Sequence, residues 1–170
     1  MQPFPQIELN IACEGWLPES ELAELAKVCV SAVIDCAPLR LPFESQLSLL
    51  FDDDEAIRSL NRQFRGIDKS TNVLSFPGSD ILPGDEAENV LGDIAFALQT
   101  IKNEADLEGK PFNHHLSHLM IHGFLHLFGY DHQNDEEAEM MEHFEIKALA
   151  NLGIENPYLD SQYSILIHKE

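Results

Sequence analysis

The chain has 170 residues, of which 44% are hydrophobic, a composition typical of a globular protein rather than a disordered one. Its length fits one domain, so we expect residues 1–170 to form a single domain with a less ordered tail after about residue 159. Thirty acidic and ten basic residues give a net charge of −20, which argues against a protein that binds nucleic acid through a generally basic surface.

The apolar runs of the sequence are too short to span a bilayer, and the first ten residues lack the basic start and apolar core of a signal peptide. We therefore expect a cytoplasmic protein without membrane contact. The three cysteines, Cys13, Cys29 and Cys36, form no CxxC pair and are interpreted as small buried side chains.

The first part of the chain alternates strands with helices. Residues 7–13 and 46–51 alternate as strands do, and residues 18–36 repeat apolar side chains at helical spacing. Aspartates at 52–54 are suited to cap a short helix that Gly66 ends. The apolar side of this helix carries Ile57, Leu60 and Phe64.

The second part of the chain begins with strands and ends with helices. Residues 70–78 are β-branched and aromatic up to a Pro-Gly pair, and residues 90–98 indicate another strand, followed by a helix. Residues 112–128 have a helical pattern. A sequence similar to a capping box begins a last helix over 134–152. This order of elements predicts an α+β fold with a small mixed β-sheet packed with helices.

Three histidines fall within the stretch IHGFLHLFGYDH, residues 121–132. His122 and His126 are four apart, so a helix places both imidazoles on one face, and Gly129 allows the chain to fold back and bring His132 to them. Three imidazoles without a fourth protein ligand leave an open coordination position, which is typical of catalytic zinc. We predict one zinc ion per chain, held between the C-terminal helical segments. Nickel and other divalent transition metals are also compatible with three imidazoles.

The motif differs from that of the zinc proteases at one position. In the HExxH pattern a glutamate follows the first histidine and acts as the general base of peptide hydrolysis. Here that position is Gly123, which has no side chain to accept a proton. The motif therefore indicates a metal site with a different reaction.

The stretch HGFLHLFGYDH resembles the signature of the YbeY-type endoribonucleases, which are rRNA maturation factors. Further blocks, NRQFRGIDKSTNVLSFP, LGDIAFAL and LGIENPY, are similar to other parts of that family, over residues 5 to 159 or so. The resemblance implies an α+β fold, a zinc ion on the three motif histidines, and cleavage of single-stranded RNA in ribosomal RNA processing and ribosome quality control.

The resemblance also implies roles for individual residues. Arg65 matches the arginine that the family requires for catalysis, and His118 stands where the family often has a further histidine. His118 is expected either to contact a metal ligand or the substrate, or to be a solvated helix residue. Asp131 is expected either to orient a ligand imidazole or to cap its loop. His114 and His115 are predicted to lie on the surface.

The basic residues of the chain are concentrated near Arg65. Arg58, Arg62, Arg65 and Lys69 fall within twelve residues at helical spacings. Arg65 is suited to bind two oxygens of one phosphate in bidentate fashion, and the other three residues extend a basic path for the RNA backbone. Alternatively, Arg58 and Arg62 pair with the aspartates at 52–54.

Three functions fit the sequence. We favour a zinc-dependent endoribonuclease that acts on single-stranded ribosomal RNA, with ribosomal or ribosome-associated proteins as partners that offset the acidic charge. A metallohydrolase of a peptide or small phosphoester is the second, and Gly123 argues against the peptide. The third is a non-catalytic assembly factor whose zinc is structural, which the open coordination position and Arg65 argue against.

Overall fold

The computed structural model describes residues 3–159. The strands are β1 (Gln6–Ile11), β2 (Gln46–Asp52), β3 (Val73–Pro77) and β4 (Val90–Ala97). The helices are α1 (Glu19–Cys36), α2 (Asp54–Arg65), α3 (Leu98–Leu107), α4 (Phe112–Leu127) and α5 (Asp135–Asn151), followed by a 3₁₀ turn at Pro157–Leu159. The tail that the sequence predicts after residue 159 lies outside the described residues.

The strands form one mixed sheet in the order β1-β2-β4-β3. β1 and β2 are parallel, as are β2 and β4, whereas β3 runs antiparallel to β4 at the edge. The α+β class with a mixed sheet is therefore confirmed. The edge position of β3 matters for the site, because α2 lies on one face of the sheet and α4 on the other.

The two faces of the sheet have different partners. α1 and α4 cover the face that carries Leu49, Phe51 and Phe96, which forms the main core. α2 covers part of the opposite face, where Ile57 packs on Leu74 and neighbouring alanines. α5 packs against α1 and α4, and α3 packs against α4. α4 is thus the central helix of the described fold.

Local sequence signals set the helix ends as expected. The Asp53 carboxylate accepts a hydrogen bond from the Ala56 N–H at 2.8 Å at the start of α2, and Gly66 ends this helix in the left-handed conformation. Asn134 caps α5 by accepting from the Glu137 N–H at 2.9 Å. The first strand covers Gln6–Ile11 rather than the predicted 7–13, because Ile11 is its last residue in register with β2 and only the Ala12 N–H still bonds to that strand.

The interpretation of the cysteines as small buried side chains holds best for Cys29. Its side chain is buried, and burial raises the pKa of its thiol to about 12. Cys13 and Cys36 are partly buried. Within residues 3–159 none of the helices combines the length and the apolar character that a bilayer crossing demands.

Gly123 sets how closely α4 approaches the sheet. A Cβ atom at this position would lie 2.8 Å from Ile94 Cγ2 and 3.1 Å from Ser75 Oγ. The Ser75 hydroxyl donates to the Gly123 carbonyl at 3.2 Å, so helix and sheet are in direct contact here. The residue that replaces the protease glutamate therefore has a packing role, and no longer side chain fits this space.

We expect Gly123→Ala to lower the free energy of unfolding. Alanine favours a helix over glycine by about 1 kcal/mol, but overpacking a core costs about 1–3 kcal/mol. We expect the cost of overpacking to exceed the gain in helix propensity. The nearest atom, Ile94 Cγ2, is a methyl group close to the backbone rather than the mobile end of a side chain. Urea unfolding measures the change, with Asn113→Ala on the exposed side of α4 as control. A Gly123→Ala protein more stable than the wild type would contradict the close approach.

Candidate metal centre and active-site cleft

The three motif histidines come together at the end of α4. His122 and His126 lie one turn apart on the same face of the helix, and the chain turns back at Gly129 to bring His132 to them. One nitrogen from each ring lies within 4.8 Å of the nitrogens of the other two. The cluster lies between the end of α4 and the start of α5, where the sequence predicts a site that could hold a metal ion.

Hydrogen bonds fix which nitrogen of each helical imidazole carries the proton. His126 Nδ1 donates to the Tyr130 carbonyl at 2.9 Å, and His122 Nδ1 donates to the Glu145 carboxylate at 3.0 Å. With Nδ1 protonated, each neutral ring carries a lone pair on Nε2.

The two Nε2 atoms face each other at 3.1 Å. Two lone pairs at this distance repel unless a cation compensates them, and nitrogens that share one zinc ion at about 2.0–2.1 Å are separated by roughly 3.3 Å. The donor set and its tautomers therefore fit a divalent transition metal, with His132 as the third ligand.

A buried carboxylate holds His122, a candidate metal ligand, in place. Glu145 of α5 is completely buried and accepts hydrogen bonds from His122, from His118 Nε2 at 2.6 Å and from the Tyr158 hydroxyl at 2.9 Å. Burial by itself raises the pKa of Glu145, but the imidazoles of His122 and His118 outweigh it and hold the pKa well below its ordinary value. Glu145 is therefore ionised and orients His122 in the manner known for carboxylate–histidine–metal triads.

His118 lies behind His122 rather than in solvent. Its side chain is buried, and burial lowers the pKa of its imidazole to about 4 although Glu145 favours the protonated form. The neutral ring donates to Glu145 and contacts the edge of the Tyr158 ring. The solvated alternative for His118 is therefore wrong, and the residue supports Glu145.

Arg65 reaches the cleft from the opposite side of the edge strand. It is the last residue of α2, its Nη2 donates to the Ser75 carbonyl of β3 at 2.7 Å, and its guanidinium lies 5.6 Å from the centre of the Phe76 ring. Arg65, Ser75 and His126 line one cavity of about 480 Å³. The structure thus brings the predicted arginine and the predicted metal ligand to the same cleft.

The family model described as endoribonuclease YbeY matches residues 10–153. The chain belongs to the endoribonuclease YbeY family. The family consists of RNA-cleaving hydrolases, and the resemblance seen in the sequence is confirmed.

Curated relatives named endoribonuclease YbeY match most of the chain. The protein of Rhodopseudomonas palustris strain BisA53 is 48% identical over 92% of this chain and 91% of its own length. That of Sinorhizobium medicae is 45% identical over 91% of this chain and 95% of its own. Among solved structures, TM1509 from Thermotoga maritima shares the fold with a TM-score of 0.54 and 23% identity, over 87% of this chain and 92% of that one.

Two of the residues predicted around this YbeY-type site have local structural contacts. The Asp131 carboxylate accepts from the backbone N–H of His132 at 2.8 Å, so it caps the loop that carries the third histidine. Arg58 forms an exposed ion pair with Asp68 at 2.9 Å. The predicted pairing of Arg58 with the aspartates at 52–54 is therefore wrong; Asp53 caps its helix and Asp54 accepts from Thr100 instead.

The surface prediction holds for only one of the two neighbouring histidines at the start of α4. His114 is exposed, but His115 is buried and its Nε2 lies 2.8 Å from the Glu104 carboxylate of α3. Glu104 also accepts from the Asn72 amide at 3.1 Å. His115 thus belongs to a second buried carboxylate–histidine pair, which joins α3 and α4 away from the motif histidines.

Glu145 and Tyr158 were not identified from the sequence. A signal for Glu145 exists, because it interrupts an otherwise apolar stripe of α5 formed by Met141, Ala148 and Leu149. A charge in the middle of an apolar helix face marks a buried carboxylate that needs a partner. Tyr158 lies after the last helix, and only the folded chain shows that its hydroxyl reaches Glu145.

We expect Glu145→Gln to weaken metal binding by about 10- to 100-fold, because an amide no longer holds His122 with a full negative charge. Competition with a chromophoric chelator measures the metal affinity. The matched control is Glu104→Gln, which alters the other buried carboxylate–histidine pair on α4 and should lower stability without a comparable loss of metal affinity. Equal metal affinities of wild type and Glu145→Gln would show that the carboxylate does not support the site.

Proposed function

We propose that this chain, a member of a family of ribosomal RNA-processing endoribonucleases, cleaves single-stranded RNA with one zinc ion and with Arg65. The observation that carries the proposal is the cavity shared by His126 and Arg65. It combines a nitrogen donor set suited to a metal with a guanidinium that carries the charge a phosphodiester needs.

The proposed ligands are His122, His126 and His132. When bound, a zinc ion supplies a Lewis acid that polarises a phosphoryl oxygen and lowers the pKa of water toward ~7. Glu145 and the Tyr130 carbonyl keep the imidazoles of His122 and His126 in the tautomer that ligation requires. Gly123 leaves no room for the glutamate base of the zinc proteases, which disfavours a peptidase.

The proposed role of Arg65 is to neutralise charge on the phosphoryl oxygens. One of its N–H groups is fixed on the Ser75 carbonyl and its plane lies over Phe76, so the side chain is oriented before the substrate arrives. A preorganised donor of this kind stabilises charge in the transition state without rearrangement. The open cavity around it also disfavours a purely structural metal site.

The proposed setting is the cytoplasm, in ribosomal RNA maturation and ribosome quality control. Of the local basic residues, Arg58 is partly neutralised by Asp68, and the whole chain has a net charge of −20. Such a protein attracts naked RNA weakly. Delivery by ribosomal or ribosome-associated proteins is therefore part of the proposal.

We expect His122→Ala and His126→Ala each to abolish tight zinc binding and RNA cleavage together, because each removes one of three protein ligands. The melting temperature of the zinc-loaded protein should also lose its zinc-dependent increase. Elemental analysis and cleavage of labelled single-stranded RNA are measured on the same preparations. His114→Ala, an exposed histidine on the same helix, is the control. Full zinc occupancy in both ligand variants would refute the site.

We expect Arg65→Ala to keep the metal and the fold but to lower the cleavage rate by about 10²–10³-fold. Arg65→Lys should restore little, because an ammonium lacks the planar fork. Zinc content, melting temperature and cleavage rate are compared with those of Arg40→Ala, whose exposed pairing with Glu86 involves neither Arg65 nor the histidines. Near-normal cleavage by folded, metal-containing Arg65→Ala would exclude the arginine from the mechanism.

A further inference from the structure

An exposed aromatic pair adjoins Arg65. Phe64 immediately precedes the arginine and is 61% exposed, although the helical pattern placed it on the apolar side of α2. Its ring packs edge-on against Phe76 with centroids 5.5 Å apart. The same Phe76 ring lies under the guanidinium of Arg65, so aromatic and cationic groups form one continuous surface at the edge strand.

Phe64 and Phe76 also line a second cavity, of about 650 Å³, on the sheet face that α2 only partly covers. Strand register aligns Glu8, Ser48, Asp93 and Phe76 in one row across the floor of this cavity. The remaining lining is mostly apolar and includes Leu50, Leu60 and Ala95.

The charges of this cavity select what can enter it. Within residues 3–159 its charged lining residues are Glu8 and Asp93, and none of these lining residues is a lysine or an arginine. A phosphate is therefore repelled, whereas a neutral flat ring is accepted by the aromatic and apolar walls. Arg65, on the other side of Phe76, offers the nearby position for a phosphate.

We propose that Phe64 and Phe76 bind one unpaired nucleobase next to the phosphodiester that is cleaved, with the base stacked on Phe64. This inference rests on the proposed RNA cleavage and names the part of the substrate that is read. The nucleotide crosses the β3 edge, so that its phosphate meets Arg65 while its base turns onto the opposite face of the sheet. A base in a duplex cannot make this turn, which accounts for single-strand specificity.

Asp93 supplies the polar contact of the base. Its carboxylate lies opposite Phe76 in the strand register and accepts hydrogen bonds only. Guanine presents two adjacent donors, N1–H and its exocyclic amino group, to the two oxygens of a carboxylate, whereas cytosine and adenine offer one amino group and uracil only its ring N3–H. The site therefore favours guanine over the other three bases.

Stacking is tested with a short single-stranded RNA that carries 2-aminopurine at successive positions around the cleavage point. At one position the fluorescence should be quenched on binding to the zinc-loaded protein. Phe64→Ala should remove this quenching and raise the KM for cleavage about tenfold. Phe64→Trp should keep the quenching and the wild-type KM, because its ring still stacks on a base. Phe43→Ala, which removes an 89% exposed phenylalanine that does not line this cavity, is the control and should behave as wild type.

Base selection is tested by exchanging guanine for hypoxanthine, which lacks the exocyclic amino group, at the quenched position. Loss of one hydrogen bond should raise the KM of the wild type about fivefold, and the exchange should leave the KM of Asp93→Ala unchanged. Equal KM values for the two bases in the wild type would overturn the role of Asp93.

Three results would overturn the stacking site. The first two are quenching at no position and quenching that survives in Phe64→Ala. The third is a Phe64→Ala protein that binds and cleaves free RNA normally but no longer associates with ribosomal particles. The last would make the surface a protein-docking site. Quenching is read on bound RNA, so it reports on this inference even if the protein fails to cleave. Failure of wild-type cleavage that zinc does not restore would instead overturn the proposed function.

Discussion

The fold depends on a central helix that carries histidines through a hydrophobic core. Residues 115–125 of α4 are all buried, and three of them are histidines. Unpaired imidazoles in such a setting destabilise a protein, so each must have a partner from a neighbouring element. Glu104 of α3 serves His115, and Glu145 of α5 serves both His118 and His122. These pairings join α3 and α5 to α4 and, at one end, hold one member of the candidate ligand set.

The strands, the helix ends and the three clustered histidines could be predicted because their causes are local. Alternation marks a strand, an aspartate or asparagine marks a helix start, and a four-residue spacing puts two histidines on one face. The family resemblance added Arg65, whose reach across β3 no local pattern specifies. The predicted β1 begins one residue late and ends two residues late, since the pairing with β2 that limits this strand depends on a distant segment.

The residues that were missed or misplaced depend on contacts between distant parts of the chain. His115 looked like a surface residue because it adjoins the exposed His114, and its burial follows from the docking of α3. One alternative paired Arg58 with the aspartates at 52–54, but its partner is Asp68 in the loop that follows α2. Tyr158 reaches Glu145 only because the chain returns past α5. Spacing along the sequence contains none of this information.

Gly123 shows how one small residue relates packing to chemistry. Its contact with Ile94 and Ser75 lets α4 lie directly on the strands, next to β3, whose Ser75 carbonyl holds Arg65. The close contact of the α4 backbone with the side chains of Ile94 and Ser75 therefore helps to set the distance between the histidines of this helix and Arg65.

The order of the site residues along the chain has a consequence for biosynthesis. Arg65 and the edge strand are made first, the histidines follow, and Glu145 and Tyr158 come last. Because a nascent chain emerges from its N-terminus, the carboxylate that orients His122 is absent until α5 has been made. An RNA-cleaving protein produced beside ribosomal RNA thus acquires a fully oriented His122 only after α5 has been made.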